Sequence, residues 1–112
     1  MAVNEILLNR VREALADVPD VVEKKMFGGV CFMVNDKMSI CVRNNNMMCR
    51  LDPATYTLEL EKNGVTAMIL NSKTMKGYVN VDAGAIKNES DFNYWIKAVL
   101  EFNKIAKSSK KK

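Results

Sequence analysis

Spacings of three and four residues between apolar positions predict an amphipathic helix at each end of the chain. The first helix spans residues 4–18, because Asn4 suits an N-cap and the residue before Pro19 disfavours helical backbone. Its apolar face comprises Leu7, Leu8, Val11, Ala14, Leu15 and Val18. The last helix follows a cap at Ser90 and ends near Ala106. Its apolar face comprises Phe92, Trp95, Ile96, Val99 and Leu100.

Between these helices, short apolar segments bounded by turn residues predict six strands. They are Val21–Met26, Val30–Val34, Met38–Arg43, Met47–Leu51, Thr66–Leu70 and Tyr78–Asp82. Asp52 and Pro53 combine an N-cap with a first-turn proline, and Gly64 is a natural stop, so we predict a helix between them. The order α-β4-α-β2-α predicts a two-layer α+β fold, with a mainly antiparallel sheet covered on one face by three helices.

Neither a repeat nor an inner boundary interrupts this pattern. A length of 112 residues suits one domain, which we place at residues 1–106. Residues 107–112 contain four lysines and two serines, and we expect them to form a disordered basic tail.

The segment 35–37 lies between two apolar strands and predicts a β-hairpin. A two-residue loop would pair Val34 with Lys37 and mix apolar with polar side chains on each face. A three-residue loop would pair Val34 with Met38 and leave one face wholly apolar, so burial favours it. The other face of that hairpin would carry Cys31, Met33, Ser39, Cys41 and Arg43.

The composition, 48% hydrophobic and 27% charged, is typical of a globular protein, and it excludes several kinds of chemistry. The absence of histidine excludes Ser-His-Asp and Cys-His catalysis and mixed Cys/His zinc sites. Three cysteines without a C-x-x-C spacing cannot complete a four-cysteine zinc site, so we expect neither a metal nor a cofactor. An odd cysteine count, with no signal peptide and no apolar run long enough for a membrane span, predicts a cytoplasmic protein.

Charge is distributed unevenly. The net charge is +4, yet residues 1–103 carry 12 basic and 13 acidic side chains, so the excess lies in the last residues. Residues 24–76 form a separate block of net charge +4. Its candidate binding residues for nucleic acid or an acidic partner are Lys24, Lys25, Arg43, Arg50, Lys73 and Lys76. Since no helix-turn-helix or RNP motif accompanies them, a solvated surface of mixed charge is the favoured interpretation.

Two segments resemble the signatures of a known family. Residues 26–38, which read Met-Phe-Gly-Gly-Val-Cys-Phe-Met-Val-Asn-Asp-Lys-Met, resemble the signature hairpin of the TfoX N-terminal domain family, the TfoX/Sxy competence-regulator group. Residues 75–82 resemble its second signature, and residues 50–53 and Trp95 also fit. The resemblance implies a compact α+β fold and a bacterial, cytosolic role in regulation or protein interaction. It brings no established catalytic residues.

The structural motif of the first signature consists of Met26, Phe27, Gly28 and Gly29, and Gly77 belongs to the second. Because the Gly28-Gly29 pair lacks the further glycine, lysine and hydroxyl residue of a phosphate-binding loop, we interpret these glycines as backbone bends.

Cys31 and Cys41 are the candidates for chemistry. Directly opposed cysteines on adjacent strands are a candidate redox-sensitive or metal-binding pair. The simpler alternative is that both are small buried hydrophobes.

The function predicted from the sequence is therefore a non-catalytic regulatory or protein-interaction domain. The alternatives are an accessory protein that binds nucleic acid through the central basic block, and a small ligand-binding or enzymatic domain. The face that carries Cys31 and Met33 is a candidate surface for homodimerisation or for a protein partner.

Overall fold

A computed structural model describes residues 3–26, 28–70 and 72–106 of the chain. Over these residues the elements follow the predicted order. They are α1 (Glu5–Ala14), β1 (Val21–Met26), β2 (Gly29–Val34), β3 (Lys37–Val42), β4 (Asn46–Arg50), α2 (Pro53–Glu59), β5 (Val65–Leu70), β6 (Lys73–Asp82), a 3-10 turn (Ala83–Ile86) and α3 (Glu89–Asn103). The strands form one antiparallel sheet in the order β1-β2-β3-β4-β6-β5, which confirms the α+β fold. The tail predicted over residues 107–112 lies outside the described residues.

The helices begin at capping side chains. The Asn4 side chain accepts a hydrogen bond from the backbone N–H of Leu7 at 3.0 Å, as predicted. The cap of the third helix lies two residues before the predicted one, because the side chain of Asn88 accepts a hydrogen bond from the N–H of Asp91 at 3.1 Å. The first helix ends earlier than predicted, at Ala14, because the chain beyond it tightens into turns with hydrogen bonds to the third preceding carbonyl.

The β2–β3 hairpin combines the two alternative loop lengths. Its turn contains two residues, Asn35 and Asp36, with φ angles of 53° and 64°, so the predicted three-residue loop is wrong. Val34 therefore pairs with Lys37. Ser39 is then an extra residue on β3, and this bulge returns the strands to the predicted register beyond it. The bulge therefore prevents the mixing of apolar and polar side chains on each face that was expected from a two-residue loop.

Strand β6 begins at Lys73 rather than at the predicted Tyr78, so the predicted start of this strand is wrong. Lys73 pairs with Leu70, and Ser72, which precedes Lys73, has a φ of 66°. The segment 73–76 reads Lys-Thr-Met-Lys, which lacks the alternation of a half-buried strand. Backbone pairing with β5, which its sequence pattern does not reveal, makes it part of the sheet.

A wide bulge bends β6. Between two regular pairs, residues 75–78 of β6 lie opposite Met68 alone on β5. Gly77 provides the bend, with a φ of 90°, and its carbonyl accepts a hydrogen bond from the N–H of Leu51 at 2.6 Å. The side chains of β6 change direction at this bulge, so that Met75 packs against the same buried cluster as Met68 of β5.

All three helices cover one face of the sheet, as predicted. Their buried contribution comprises Leu7, Leu8, Val11, Tyr56, Phe92, Trp95, Ile96 and Val99. The strands contribute Phe32, Ile40, Val42, Met47, Cys49, Val79 and Val81 to the same core. Burial of large apolar side chains such as these, each worth about 1.5–3 kcal/mol, holds the two layers together.

The opposite face carries a second buried cluster, which we call the sulfur cluster because every member is a cysteine or a methionine. It consists of Cys31, Met33, Met38, Cys41, Met48 and Met68. The half-buried side chains of Met26, Met75 and Tyr78 pack around it. Cys31 and Met33, proposed from the sequence as part of an interface, are only 0% and 8% exposed, so they do not form an open apolar surface. Homodimerisation stays a prediction.

Candidate functional site

The six basic candidate residues are spread across the sheet and do not form one group. Lys24 and Lys25 are exposed on β1, which is one edge strand. Lys73 and Lys76 are exposed on β6, with β2, β3 and β4 lying between β1 and β6 in that order. Because of this separation, the four lysines do not form a continuous basic stripe along neighbouring strands.

The two arginine candidates lie nearer the middle of the sheet and are half-buried. The guanidinium of Arg50 lies 5.8 Å from the ring centroid of Tyr78 and 5.6 Å from that of Phe102. This placement between two rings joins β4 to the end of α3 through cation–π contacts. Arg43 instead acts electrostatically on the thiols of the sulfur cluster. Nucleic-acid binding through these six residues stays a prediction.

The predicted thiol pair lies in the middle of the sulfur cluster. Cys31 and Cys41 are direct partners across β2 and β3, and both are fully buried. A hydrogen bond between the two thiols raises the pKa of Cys31 and lowers that of Cys41, because it stabilises the Cys41 thiolate while Cys31 keeps its proton. Directly paired positions in an antiparallel sheet have Cα separations within the range that a disulfide spans, and redox sensitivity stays a prediction.

The glycines of the first signature lie beside this pair. Gly28 has a φ of 74° in the turn between β1 and β2, a conformation that glycine adopts at little cost. A Cβ atom on Gly29 would lie 2.1 Å from the carbonyl oxygen of Val42, so this position requires the close approach that only glycine permits. The carbonyl oxygen of Met26 lies 3.8 Å and 3.6 Å from the two thiol sulfur atoms. Phe27 lies outside the described residues.

A second candidate site, which the sequence did not reveal, is a groove of about 510 Å³ between α2 and α3. We call it the α2–α3 groove. The residues that carry its chemistry are Asp52, Thr55, Glu59, Tyr94, Lys97, Glu101 and Ile105. Three of these residues are acidic and one is basic. Tyr94 and Ile105 are large side chains with exposed fractions of 43% and 72%. The groove therefore combines an acidic lining with an apolar rim.

Glu59 is the most constrained charged group in this groove, with a side chain only 12% exposed. Its Oε2 accepts a hydrogen bond from the Tyr94 hydroxyl at 2.6 Å, which raises the pKa of Tyr94 to about 12. Its Oε1 is buried and has no hydrogen-bond partner among the described residues. Lys62 Nζ lies 3.7 Å from Oε1, which is an ion-pair distance but too long for a hydrogen bond.

Sequence reasoning missed this arrangement because Glu59 and Tyr94 are 35 residues apart and belong to no motif. The acidic residue nearest to Glu59 in the sequence is Glu61, and on a helix residues two apart do not face each other. The capping signal at Asp52 placed α2 correctly, but the contact of α2 with α3 depends on the tertiary fold.

Within residues 3–26, 28–70 and 72–106, no three His, Cys, Asp or Glu side chains are grouped to hold a metal. In the same ranges no helix has the length and apolarity needed to cross a membrane.

The family follows from a match to the model of the TfoX N-terminal domain, which covers residues 13–103. This chain belongs to that family, as its two signature segments predicted. The comparisons found no match among curated proteins or solved structures.

Proposed function

We propose that this TfoX N-terminal domain is a non-catalytic, regulatory protein-interaction module whose α2–α3 groove binds a segment of a partner protein. The segment would present a lysine or arginine between apolar side chains. The observation that carries this proposal is the buried Oε1 of Glu59, a carboxylate oxygen without a hydrogen bond at the side of an open groove. Lys62 Nζ lies 3.7 Å from this oxygen, an ion-pair distance that is too long for a hydrogen bond, so a cationic donor from a partner would supply the hydrogen bond that it lacks.

The surroundings of Glu59 support the same kind of ligand. Asp52 and Glu101 add negative charge to the lining, while Lys97 is the one basic residue among the described residues that line the groove. Ile105 is 72% exposed at the rim, where an apolar side chain of the partner would bury it. A groove of this size offers a partner only a small contact area, which suits a weak, reversible interaction of the kind used in regulation.

The protonation of Tyr94 supports binding rather than acid–base catalysis. Its hydroxyl donates to Glu59, and its pKa of about 12 lies far above the range useful for proton transfer near neutral pH. The pair is therefore better suited to fixing the direction of the Glu59 carboxylate than to exchanging a proton with a substrate.

Selection of displayed random peptides on the full chain tests the proposal. We expect enriched peptides to contain a basic residue between apolar ones, with affinities about 10-fold weaker for Glu59→Gln, a loss of about 1.4 kcal/mol. Ile105→Ser should weaken the same peptides. Glu61→Gln is the matched control, because Glu61 is exposed and does not line the groove.

The proposal fails if enriched peptides bind Glu59→Gln as tightly as the unaltered chain, or if Glu61→Gln weakens them equally. A selection without basic residues among the enriched peptides would also contradict it.

A further inference from the structure

The sulfur cluster and the two methionines that pack around it bring together eight sulfur atoms on one face of the sheet. The buried and surrounding residues include six of the eight methionines of the chain and two of its three cysteines. We propose that this cluster binds one monovalent soft metal ion of the Cu(I) class through Cys31 and Cys41, with the thioether of Met48 as a third ligand. This site is separate from the α2–α3 groove and does not depend on the function proposed there.

The register of the sheet places these three ligands in one row. Cys31 pairs with Cys41 across β2 and β3, and Cys41 pairs with Met48 across β3 and β4. Residues paired in this way lie about 4.5–5.5 Å apart at their Cα atoms and project from the same face. Two thiols and one thioether are thus adjacent without any rearrangement of the backbone.

The donor set selects the kind of metal. Thiolate and thioether sulfur are soft ligands that favour Cu(I), whereas a structural zinc site requires four nitrogen or sulfur ligands. The buried members of the cluster include no carboxylate, so Mg²⁺ and Ca²⁺, which require oxygen ligands, are disfavoured. Met33 and Met38, a neighbouring cross-strand pair, provide further thioethers around the same position.

Binding releases two protons, since Cu(I) coordinates the thiolate form of each cysteine and both protons pass to solvent. The two thiolates and the monovalent ion then carry a net charge of −1. The positive charge of Arg43, which acts electrostatically on both thiols, stabilises that negative charge. Cys31 and Cys41 are 0% exposed, so the protein shields the ion from water and from oxidation.

Anaerobic titration of the reduced full chain with Cu(I), supplied as its acetonitrile complex, tests the site. A coloured Cu(I) chelator, bathocuproine disulfonate, competes for the metal. We expect the chain to retain one equivalent of Cu(I), and Cys31→Ala and Cys41→Ala each to weaken binding by at least about 100-fold. Met48→Leu should weaken it by about 10-fold.

Cys49→Ala is the matched control, because Cys49 is equally buried but lies in the core under the helices. Far-ultraviolet circular dichroism establishes that each variant is folded. The proposal is overturned if the chelator removes all copper, or if Cys49→Ala weakens binding as much as Cys31→Ala.

A second measurement needs no substitution. Ag(I), a redox-inert analogue of Cu(I), should shift the methyl NMR signal of Met48 in the unaltered chain at one equivalent, while the signal of Met47 on the opposite face stays in place. Equal shifts of both signals, or none, would contradict the site.

Discussion

Replacement of Asn103 tests how the end of α3 is attached to the sheet. Asn103 is 5% exposed, and its side-chain amide donates to the carbonyl oxygen of Val34 at 3.2 Å and to Ser39 Oγ at 3.1 Å. The backbone oxygen of Asn103 also accepts a hydrogen bond from Lys37 Nζ at 2.8 Å. Asn103→Ala removes both side-chain hydrogen bonds and keeps the backbone contact.

Each lost hydrogen bond costs about 1 kcal/mol, so the free energy of unfolding should fall by about 2 kcal/mol. For a domain of this size the midpoint of thermal unfolding should fall by roughly 10 °C. Asn93→Ala is the matched control, since Asn93 lies on the exposed face of the same helix and the two substitutions have similar intrinsic helix propensities.

Urea unfolding, followed by the fluorescence of Trp95, measures the difference between the two variants. Trp95 is the single tryptophan and is 4% exposed, so unfolding changes its environment strongly. A difference below about 0.5 kcal/mol between Asn103→Ala and Asn93→Ala would refute the attachment, because surface substitutions already vary by that amount.

Three further predictions concern the two candidate sites. Gly29→Ala should lower the free energy of unfolding by about 3 kcal/mol, because its Cβ would lie 2.1 Å from a carbonyl oxygen, and urea unfolding equal to the unaltered chain would contradict this. Tyrosinate absorbance should show one late titration, near pH 12, that is absent in Tyr94→Phe. Since the pKa of Tyr94 is raised in the folded chain, its stabilising effect is present below pH 10 and is lost as the pH rises towards 12. Diamide, an azo oxidant, should join Cys31 to Cys41, as the S–S bond forms from two S–H groups and the azo group is reduced to a hydrazine. Mass spectrometry that finds no such bridge, while a control dithiol is oxidised, would refute the redox hypothesis.

Local signals predicted most of the fold. The capping residues Asn4 and Asp52 and the apolar spacing of α3 placed the helices, because a cap and an amphipathic face depend on residues within a few turns of one another. The strand positions followed from short apolar segments in the same way. The errors in the strands lie at or next to bulges, at Ser39 on β3 and at residues 75–78 on β6, because a bulge depends on the strand opposite.

The same distinction between local and distant contacts applies to the candidate sites. The sequence by itself determined the family signatures, the absence of histidine chemistry and the pairing of Cys31 with Cys41, since that pairing follows from the apolar faces of one hairpin. Only the tertiary structure placed Met48 beside that pair and Tyr94 against Glu59. Those contacts join distant segments, and their positions depend on sheet order and helix packing, which no short stretch of sequence encodes.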